Sequence, residues 1–139
     1  MTVAVLVDTS VWVDHLRGRD HAAAVLLAAW LADEPERIVL NEVVMTELLR
    51  GVAAEIDADD LQGALDKLPQ AAPLQRSDWL QSAQLYRRCR RAGLTVRSPM
   101  DCLIAAHAMR LQLPVLAVDR DFEAIASQTR LRLIVAPAT

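Results

Sequence analysis

The stretch VAVLVDTSVWVDHL, residues 3–16, is the most informative part of the chain, because an apolar run rich in β-branched residues ends abruptly in Asp8. Residues 3–7 show no polar alternation, which is typical of a strand buried on both faces, as in a parallel sheet covered by helices. Asp8 would then lie at the carboxyl end of that strand. Two hydroxyl residues, Thr9 and Ser10, follow it.

The rest of the chain alternates between strand-like and helical patterns. Strand-like runs occur at 3–7, 37–40, 114–118 and 131–135, with a fifth candidate at 71–74. Helical patterns occur at 10–17, 20–32, 41–54, 58–68, 77–92 and 99–112, with a short one after Asp119. This alternation predicts a three-layer α/β/α domain with a central parallel sheet of four to five strands. Since no repeat or linker divides the chain, residues 1–139 are expected to form one domain.

The composition excludes several classes of protein. A hydrophobic content of 53% fits a compact folded domain and not a disordered chain. The longest uncharged apolar run, residues 22–32, is too short to span a bilayer, and no basic segment precedes the N-terminal apolar stretch. We therefore expect no membrane contact, no export signal and a cytoplasmic location.

The cysteines and histidines show no metal-binding spacing. Cys89 and Cys102 form no CxxC pair, and without an export signal they are expected to be free thiols. His15, His21 and His107 are scattered along the chain. Such scattering is typical of surface or packing positions and not of a zinc site.

The net charge of −3 is unusual for a protein that binds nucleic acid, but the basic residues are not evenly spread. Five arginines fall within the segment YRRCRRAGLTVR: Arg87, Arg88, Arg90, Arg91 and Arg97. Arg87 and Arg91 are four residues apart and would share a helix face, where guanidinium groups suit phosphate. A solvated helix face near a C-terminus, where cations favour the helix dipole, explains the cluster equally well.

Acidic residues occupy positions where sites of parallel sheets are found, outside the carboxyl ends of the strands. Asp8 follows the first strand-like run and Asp119 follows the run PVLAV. Asp101 lies three residues into a helix that Ser98 and Pro99 would open. Glu47 lies within NEVVMTELLRG among apolar neighbours, at or near the buried face of a helix.

Each of these acids also has an ordinary structural explanation. The aspartates would serve as helix caps, Asp101 in a capping box with Ser98, and Glu47 would be solvated or paired with Arg50. If these acids gather at one edge of the sheet, however, they repel one another. Two like charges at about 4 Å cost roughly 4 kcal/mol of repulsion at an effective dielectric of 20. Such a group needs raised pKa values or a cation, and an all-oxygen site suits Mg²⁺ or Mn²⁺.

Four segments taken together point to a known family: VDTSVWVD at 7–14, TELLRG at 46–51, MDCLIAAHA at 100–108 and AVDRDF at 117–122. In order and spacing they resemble the PIN-domain endoribonucleases, and in its compact size the chain resembles the VapC toxins of toxin–antitoxin pairs. The chain departs from many relatives at Ala117, where they have threonine, and at Asn41, where they have serine or threonine.

The resemblance implies a set of site residues. Asp8, Glu47, Asp101 and Asp119 would be the catalytic, metal-binding acids, with Asp121 as an auxiliary metal ligand. Thr9 and Ser10 would contact the site or substrate, Arg87, Arg91 and Arg97 would contact the RNA backbone, and Phe122 would anchor the core. The implied reaction is phosphodiester hydrolysis that depends on Mg²⁺ or Mn²⁺, with Glu47 either a metal ligand or the group that orients the attacking water.

The resemblance also implies partners. The substrate would be RNA, often a single loop of tRNA or rRNA, and its cleavage would inhibit translation. A VapB-like antitoxin would hold the toxin inactive, and the chain would form a homodimer. Trp12, Trp30 and Val44 are candidates for the antitoxin surface, although apolar stripes at helical spacing more often face the core.

Other classes fit the sequence less well. A phosphatase of the haloacid-dehalogenase type needs a second aspartate two residues after the first, where this chain has Ser10. A receiver domain needs a lysine after a late strand, but Lys67 lies in a helical region, and the glycines form no phosphate-binding loop. A different metal-dependent phosphohydrolase, or a regulatory module that binds metal and RNA without turnover, stays open as an alternative.

Overall fold

A parallel three-stranded sheet forms the centre of the computed structural model, which describes residues 2–136. Strand β1 (Val5–Val7) lies between β2 (Ile38–Val39) and β3 (Val115–Leu116). All residues of the three strands are buried. The apolar run that begins the chain therefore forms the central strand, covered on both faces, which agrees with a sheet between helical layers.

The expectation of four to five strands was wrong, because the described residues form only three. Residues 71–74 and 131–135 do not form strands, although each edge of the sheet gains one isolated parallel bridge, at Gln70 and at Leu133. At the first edge, Pro73 has no N–H group and the backbone N–H of Leu74 donates to the Glu42 carboxylate instead of to the sheet. At the second edge, β3 offers only two residues, directly after Pro114.

The described part of the chain contains seven α-helices, each of which the sequence pattern predicted. They are α1 (Thr9–Leu16), α2 (Ala22–Asp33), α3 (Glu42–Arg50), α4 (Glu55–Leu65), α5 (Arg76–Arg91), α6 (Pro99–Arg110) and α7 (Arg120–Ser127). A short 3₁₀ turn (Pro35–Arg37) precedes β2. Helix α3 ends earlier than predicted, at Arg50, and α4 begins earlier, at Glu55. None of these helices is long and apolar enough to cross a membrane.

Helix α6 is the most deeply buried helix, and its residues 101–108 are all buried. It packs against α5 as an antiparallel neighbour, since Arg110 at its C-terminal end binds Asp78 at the beginning of α5. Ala105, Ala106 and Ala108 are among these buried residues, and small side chains allow a helix to pack closely within a core. Cys89 and Cys102 are free thiols in the described structure, as predicted, and both are buried.

The aromatic and apolar residues considered for an antitoxin surface lie in the core. Trp12, Trp30 and Val44 are 3%, 5% and 0% exposed, so the inward-facing interpretation is confirmed. Phe122 is 1% exposed and anchors α7 against the core, also as predicted.

The order of the strands places two of the predicted acids at one edge. Helix α1 begins directly after β1, and α7 begins a few residues after β3. The backbone N–H of Asp8 donates to the carbonyl of Leu116, so the ends of these neighbouring strands are joined. Asp8 and Asp119 therefore lie beyond the carboxyl ends of adjacent parallel strands.

Candidate active site

Asp8 caps helix α1 and still has one carboxylate oxygen free. It is 3% exposed, and its Oδ2 accepts hydrogen bonds from Ser10 N at 3.0 Å and Ser10 Oγ at 2.6 Å. Its Oδ1 is buried and has no hydrogen-bond partner among the described residues. The capping interpretation is therefore confirmed for one oxygen, while the other remains available to a ligand.

Asp101 does not serve the cap of its helix. Ser98 and Pro99 open α6 as predicted, but the Ser98 side chain makes no capping hydrogen bond, so the proposed capping box was wrong. Asp101 is 5% exposed, and its buried Oδ2 has no partner within residues 2–136. Because this oxygen forms no hydrogen bond with the helix, nothing there offsets the cost of burying it.

Asp119 and Asp121 join the beginning of α7 to the segment before α6. Asp119 Oδ1 accepts from the backbone N–H of Asp121 at 2.9 Å and so caps α7. Asp121 is 2% exposed, and its Oδ2 accepts from the backbone N–H groups of Arg97 at 2.9 Å and Ser98 at 3.0 Å. Asp101, Asp119 and Asp121 each place one carboxylate oxygen within 4.8 Å of the other two.

Glu47 approaches the site from α3. Its Oε1 accepts a hydrogen bond from Thr9 Oγ1 at 2.8 Å, and its Oε2 lies 3.9 Å from Arg50 Nη2. The Arg50 side chain is 73% exposed, so this ion pair contributes little. Glu47 lies outside the three-aspartate group described above, and its charge acts on Asp8.

The pKa values of two of the acids are raised, as the sequence predicted for carboxylates that gather at one edge of the sheet. Burial, together with the negative charges of Asp8 and Asp119, raises the pKa of Asp101 to about 9. The pKa of Asp8 is raised to about 6, because burial and the charge of Glu47 together outweigh the hydrogen bonds from Ser10, which lower it. A cation at this edge would relieve both costs.

The two hydroxyl residues after β1 hold the acids in place. Thr9 donates to Glu47, and Ser10 donates to Asp8 while its Oγ accepts from the backbone N–H of Val118 at 3.2 Å. Ser10 thus connects the ends of β1 and β3. Both hydroxyls already bind site carboxylates, so their most direct role is to orient the acids.

The arginines predicted to bind substrate lie on the surface. Arg87 and Arg91 share one exposed face of α5, as predicted, and border a small cavity of about 240 Å³ together with Arg88. Arg97 acts on the site through its backbone N–H to Asp121, while the residue itself is exposed.

A polar chain that supports α3 has no direct signal in the sequence. Asn41 caps α3 by accepting from Val44 N at 2.9 Å, and its amide nitrogen lies 3.2 Å from His107 Nδ1. An amide nitrogen can only donate, so His107 Nδ1 accepts and its Nε2 donates to the carbonyl of Ala72 at 2.8 Å. His107 is fully buried and serves packing, as predicted, and Asn41 keeps a capping role where many relatives have serine or threonine.

Comparison with known proteins agrees with this geometry. The sequence profile of the PIN domain matches residues 5–128. VapC ribonuclease Mb1587 of Mycobacterium bovis is 38% identical over 128 residues, which cover 92% of this chain and 96% of the relative. Ribonuclease VapC11 of Mycobacterium tuberculosis matches with the same identity and coverage.

Solved structures show the same fold at low sequence identity. VapBC2 from Rickettsia felis, bound to a DNA fragment from its promoter, has a TM-score of 0.71 at 16% identity and covers 95% of this chain and 98% of that chain. Mycobacterium tuberculosis VapC20, a sarcin-ricin loop cleaving toxin, has a TM-score of 0.66 at 19% identity, covering 93% and 99%. With the profile match and the 38% identity to VapC ribonucleases, these findings establish that the chain belongs to the PIN-domain family.

Proposed function

We propose that this protein is a metal-dependent endoribonuclease that hydrolyses RNA phosphodiester bonds, as the toxin of a VapBC-type toxin–antitoxin pair. The observation that carries the proposal is the pair of buried carboxylate oxygens, Asp8 Oδ1 and Asp101 Oδ2, that have no partner in the described structure. Buried polar atoms without a partner are rare and costly. Here Asp101 lies together with Asp119 and Asp121, and Asp8, which is outside that group, is near enough for its charge to raise the pKa of Asp101. The homology to VapC ribonucleases favours the RNA-cleaving function.

The donor atoms fit a hard divalent cation. The candidate group consists of carboxylates alone, and among residues 2–136 it includes no histidine or cysteine. Carboxylate oxygens suit Mg²⁺ or Mn²⁺ better than zinc. Asp8, Asp101 and Asp119 would hold the ion directly, while Asp121, with one oxygen committed to two backbone N–H groups, would assist.

The chemistry divides between the ion and the side chains. When bound, the cation supplies positive charge for the scissile phosphate and lowers the pKa of water. Glu47 is oriented by Thr9, and its Oε2 has no hydrogen bond to any of residues 2–136, so it is placed to orient the attacking water or to serve as a further ligand. Asp8, fixed by Ser10, keeps its free oxygen in one position without reorganisation.

The substrate we propose is a single-stranded loop of RNA, in tRNA or rRNA, because unstacked bases leave the phosphodiester accessible. Arg87 and Arg91 are exposed on one face of α5 and are free to contact phosphate. We place the reaction in the cytoplasm, where these RNAs occur.

The partner we propose is a VapB-like antitoxin, since the structural neighbours include VapBC complexes. A groove of about 490 Å³ extends from the beginning of α2 to Asp119, and Val118 within it is 45% exposed. An antitoxin segment in this groove would reach the acids. By the same analogy we propose a homodimer.

The test is cleavage of total cellular RNA by purified protein with Mg²⁺, Mn²⁺ or EDTA. Asp8→Asn and Asp101→Asn remove the charge that recruits the cation while keeping the side-chain shape. Asp66→Asn, at an exposed position after α4, is the matched control. We expect discrete, metal-dependent fragments from the wild type and the control, and none from the two folded site variants.

Two results would contradict the proposal. Cleavage that persists in both site variants would place the activity elsewhere or in a contaminant. If antitoxin-free protein cleaves no RNA with either metal but still binds the metal, the chain is the regulatory binding module considered above.

A further inference from the structure

One cavity of the described structure lies away from the acids. It has a volume of about 770 Å³ and is bounded by the first half of α5, the C-terminal end of α6 and residues 127–130 after α7. Arg110 in its wall lies about 14 Å along α6 from Asp101, at a rise of 1.5 Å per residue. The cavity is therefore distinct from the candidate active site.

This cavity continues into two smaller ones, and arginines border all three. Arg88 borders both the large cavity and the 240 Å³ cavity beside α5, and Arg130 borders both the large cavity and another of about 370 Å³. We call this continuous surface the basic groove. Its arginines are Arg87, Arg88, Arg91, Arg110, Arg130 and Arg132.

The only acidic residue among those that line the groove is already neutralised. Asp78 is 2% exposed, and its two oxygens accept from Arg110 Nε at 2.8 Å and Arg110 Nη2 at 2.9 Å. The other five arginines of the groove form no salt bridge with any described residue. A chain with a net charge of −3 thus concentrates uncompensated positive charge on one surface.

A solvated helix face does not account for this arrangement. Arg87, Arg88 and Arg91 belong to α5, whereas Arg130 and Arg132 come from the segment after α7. The two sets meet across the cavity, so the charges converge on a concave surface from separate parts of the chain. Hydrogen bonds to the carbonyls of Gln128 and Gln112 hold the Arg88 and Arg132 side chains. Fixed guanidinium groups on both sides of a groove suit the oxygens of phosphates.

The groove also lacks what a protein partner would need. None of the large hydrophobic residues that are exposed in the described structure lines it. Protein interfaces depend on buried aromatic or apolar anchors, whereas phosphate backbones are bound by cationic and polar groups and need no apolar anchor. Helix α5 leads from the groove to residues 97 and 98, whose N–H groups bind Asp121.

We propose that the basic groove is a second RNA-binding site, which holds the phosphate backbone of the substrate on one side of the cleavage position. The inference rests on the proposed function and deepens it. Nucleotides outside the acidic site contribute affinity through these phosphate contacts, without any requirement for base sequence.

The test measures RNA binding without cleavage. Fluorescence anisotropy of a labelled single-stranded uridylate dodecamer is recorded in EDTA over a series of salt concentrations. The groove variant combines Arg88→Gln with Arg130→Gln, and Arg130→Gln is also tested alone, because no hydrogen bond of its side chain is described. The control combines Arg17→Gln with Lys67→Gln, which removes the same charge at exposed positions outside the groove. Circular dichroism and Tm verify the fold of each variant.

We expect the double groove variant to bind the dodecamer about tenfold more weakly than the control. The slope of log Kd against log salt should fall by about 0.7 for each phosphate that is no longer neutralised. Arg130→Gln alone should show about half of the change in slope. Equal affinity and equal slope in groove and control variants would overturn the inference. So would an oligoglutamate peptide whose binding depends on the groove arginines while RNA binding does not, because the groove would then dock an acidic protein.

The proposed function fails separately, if wild-type protein shows no metal-dependent cleavage. The binding assay runs in EDTA and so needs neither metal nor cleavage. It therefore tests the role of the groove independently of the result of the cleavage assay.

Discussion

Replacing Asp101 by asparagine should stabilise the metal-free protein, even though it removes a residue of the proposed site. Burial, with the charges of Asp8 and Asp119, raises the pKa of Asp101 from 3.8 to about 9. Between these two values the folded protein keeps a proton that the unfolded chain has released. The free energy of unfolding of the wild type therefore decreases as pH rises through this range.

The size of the effect follows from the shift. Each pKa unit corresponds to about 1.4 kcal/mol. The shifted pKa of Asp101 therefore lowers the free energy of unfolding by about 4 kcal/mol at pH 7 and about 2 kcal/mol at pH 5. Asparagine does not ionise in either state, so Asp101→Asn lacks this pH-dependent cost. For a chain of this length, the gain at pH 7 corresponds to a rise in Tm on the order of 10 °C.

The assay is urea denaturation of wild type, Asp101→Asn and the exposed control Asp66→Asn in EDTA at pH 5, 7 and 8.5. The difference between Asp101→Asn and wild type should grow with pH, and by more than any change in the difference between Asp66→Asn and wild type. Addition of Mg²⁺ should stabilise the wild type and have less effect on Asp101→Asn. Parallel stability curves for wild type and Asp101→Asn across this pH range would contradict this account, since they would mean that Asp101 is ionised in the folded metal-free protein.

Three further predictions concern other contacts. Asp78→Asn should lower Tm at pH 7 on the order of 5 °C by leaving Arg110 without its bidentate partner. Because the pKa of Asp78 is lowered in the folded state, the difference in Tm between this variant and wild type should shrink as pH falls below 3.8. Scanning calorimetry measures it, and a constant difference would count against the pairing of Asp78 with Arg110. Ser10→Ala should weaken Mg²⁺ binding about tenfold in titration calorimetry, because Asp8 loses the donor that orients it; unchanged affinity would exclude this role. His107→Ala should cost about 3 kcal/mol in urea denaturation, through a cavity and the removal of two hydrogen bonds, and a cost below about 1 kcal/mol would show that the buried ring is dispensable.

The parts of the fold that the sequence predicted are those that depend on local pattern. An unbroken apolar run before Asp8 is enough to place the residue after a buried central strand, and helical periodicity located all seven helices. The strand count failed because periodicity reports burial and not hydrogen bonding. Leu133 is partly buried and lies beside Val115, yet only one bridge forms there.

The parts that escaped prediction depend on partners distant in sequence. Thr9 meets Glu47, Asn41 meets His107, and Asp121 meets the backbone N–H of Arg97. No local pattern encodes such pairs, because they arise only when α3, α6 and α7 pack around the sheet. The same limit explains the incorrect capping box, since Ser98 and Asp101 have the right spacing but the Asp101 side chain points into the acidic group instead.

Helix capping and cation binding look like competing explanations in the sequence, but the structure separates them by atom. Asp8 caps α1 through Oδ2 and leaves Oδ1 without a described partner, and Asp119 caps α7 through Oδ1. The cap fixes the carboxylate in one orientation, so the remaining oxygen is positioned before any ligand arrives. The helix N-termini favour negative charge at these positions, yet burial still raises the pKa of Asp8. Folding therefore gathers buried carboxylates at a cost in free energy that the capping hydrogen bonds only partly offset. A cation that binds there removes the remaining cost, and this relief contributes to its affinity.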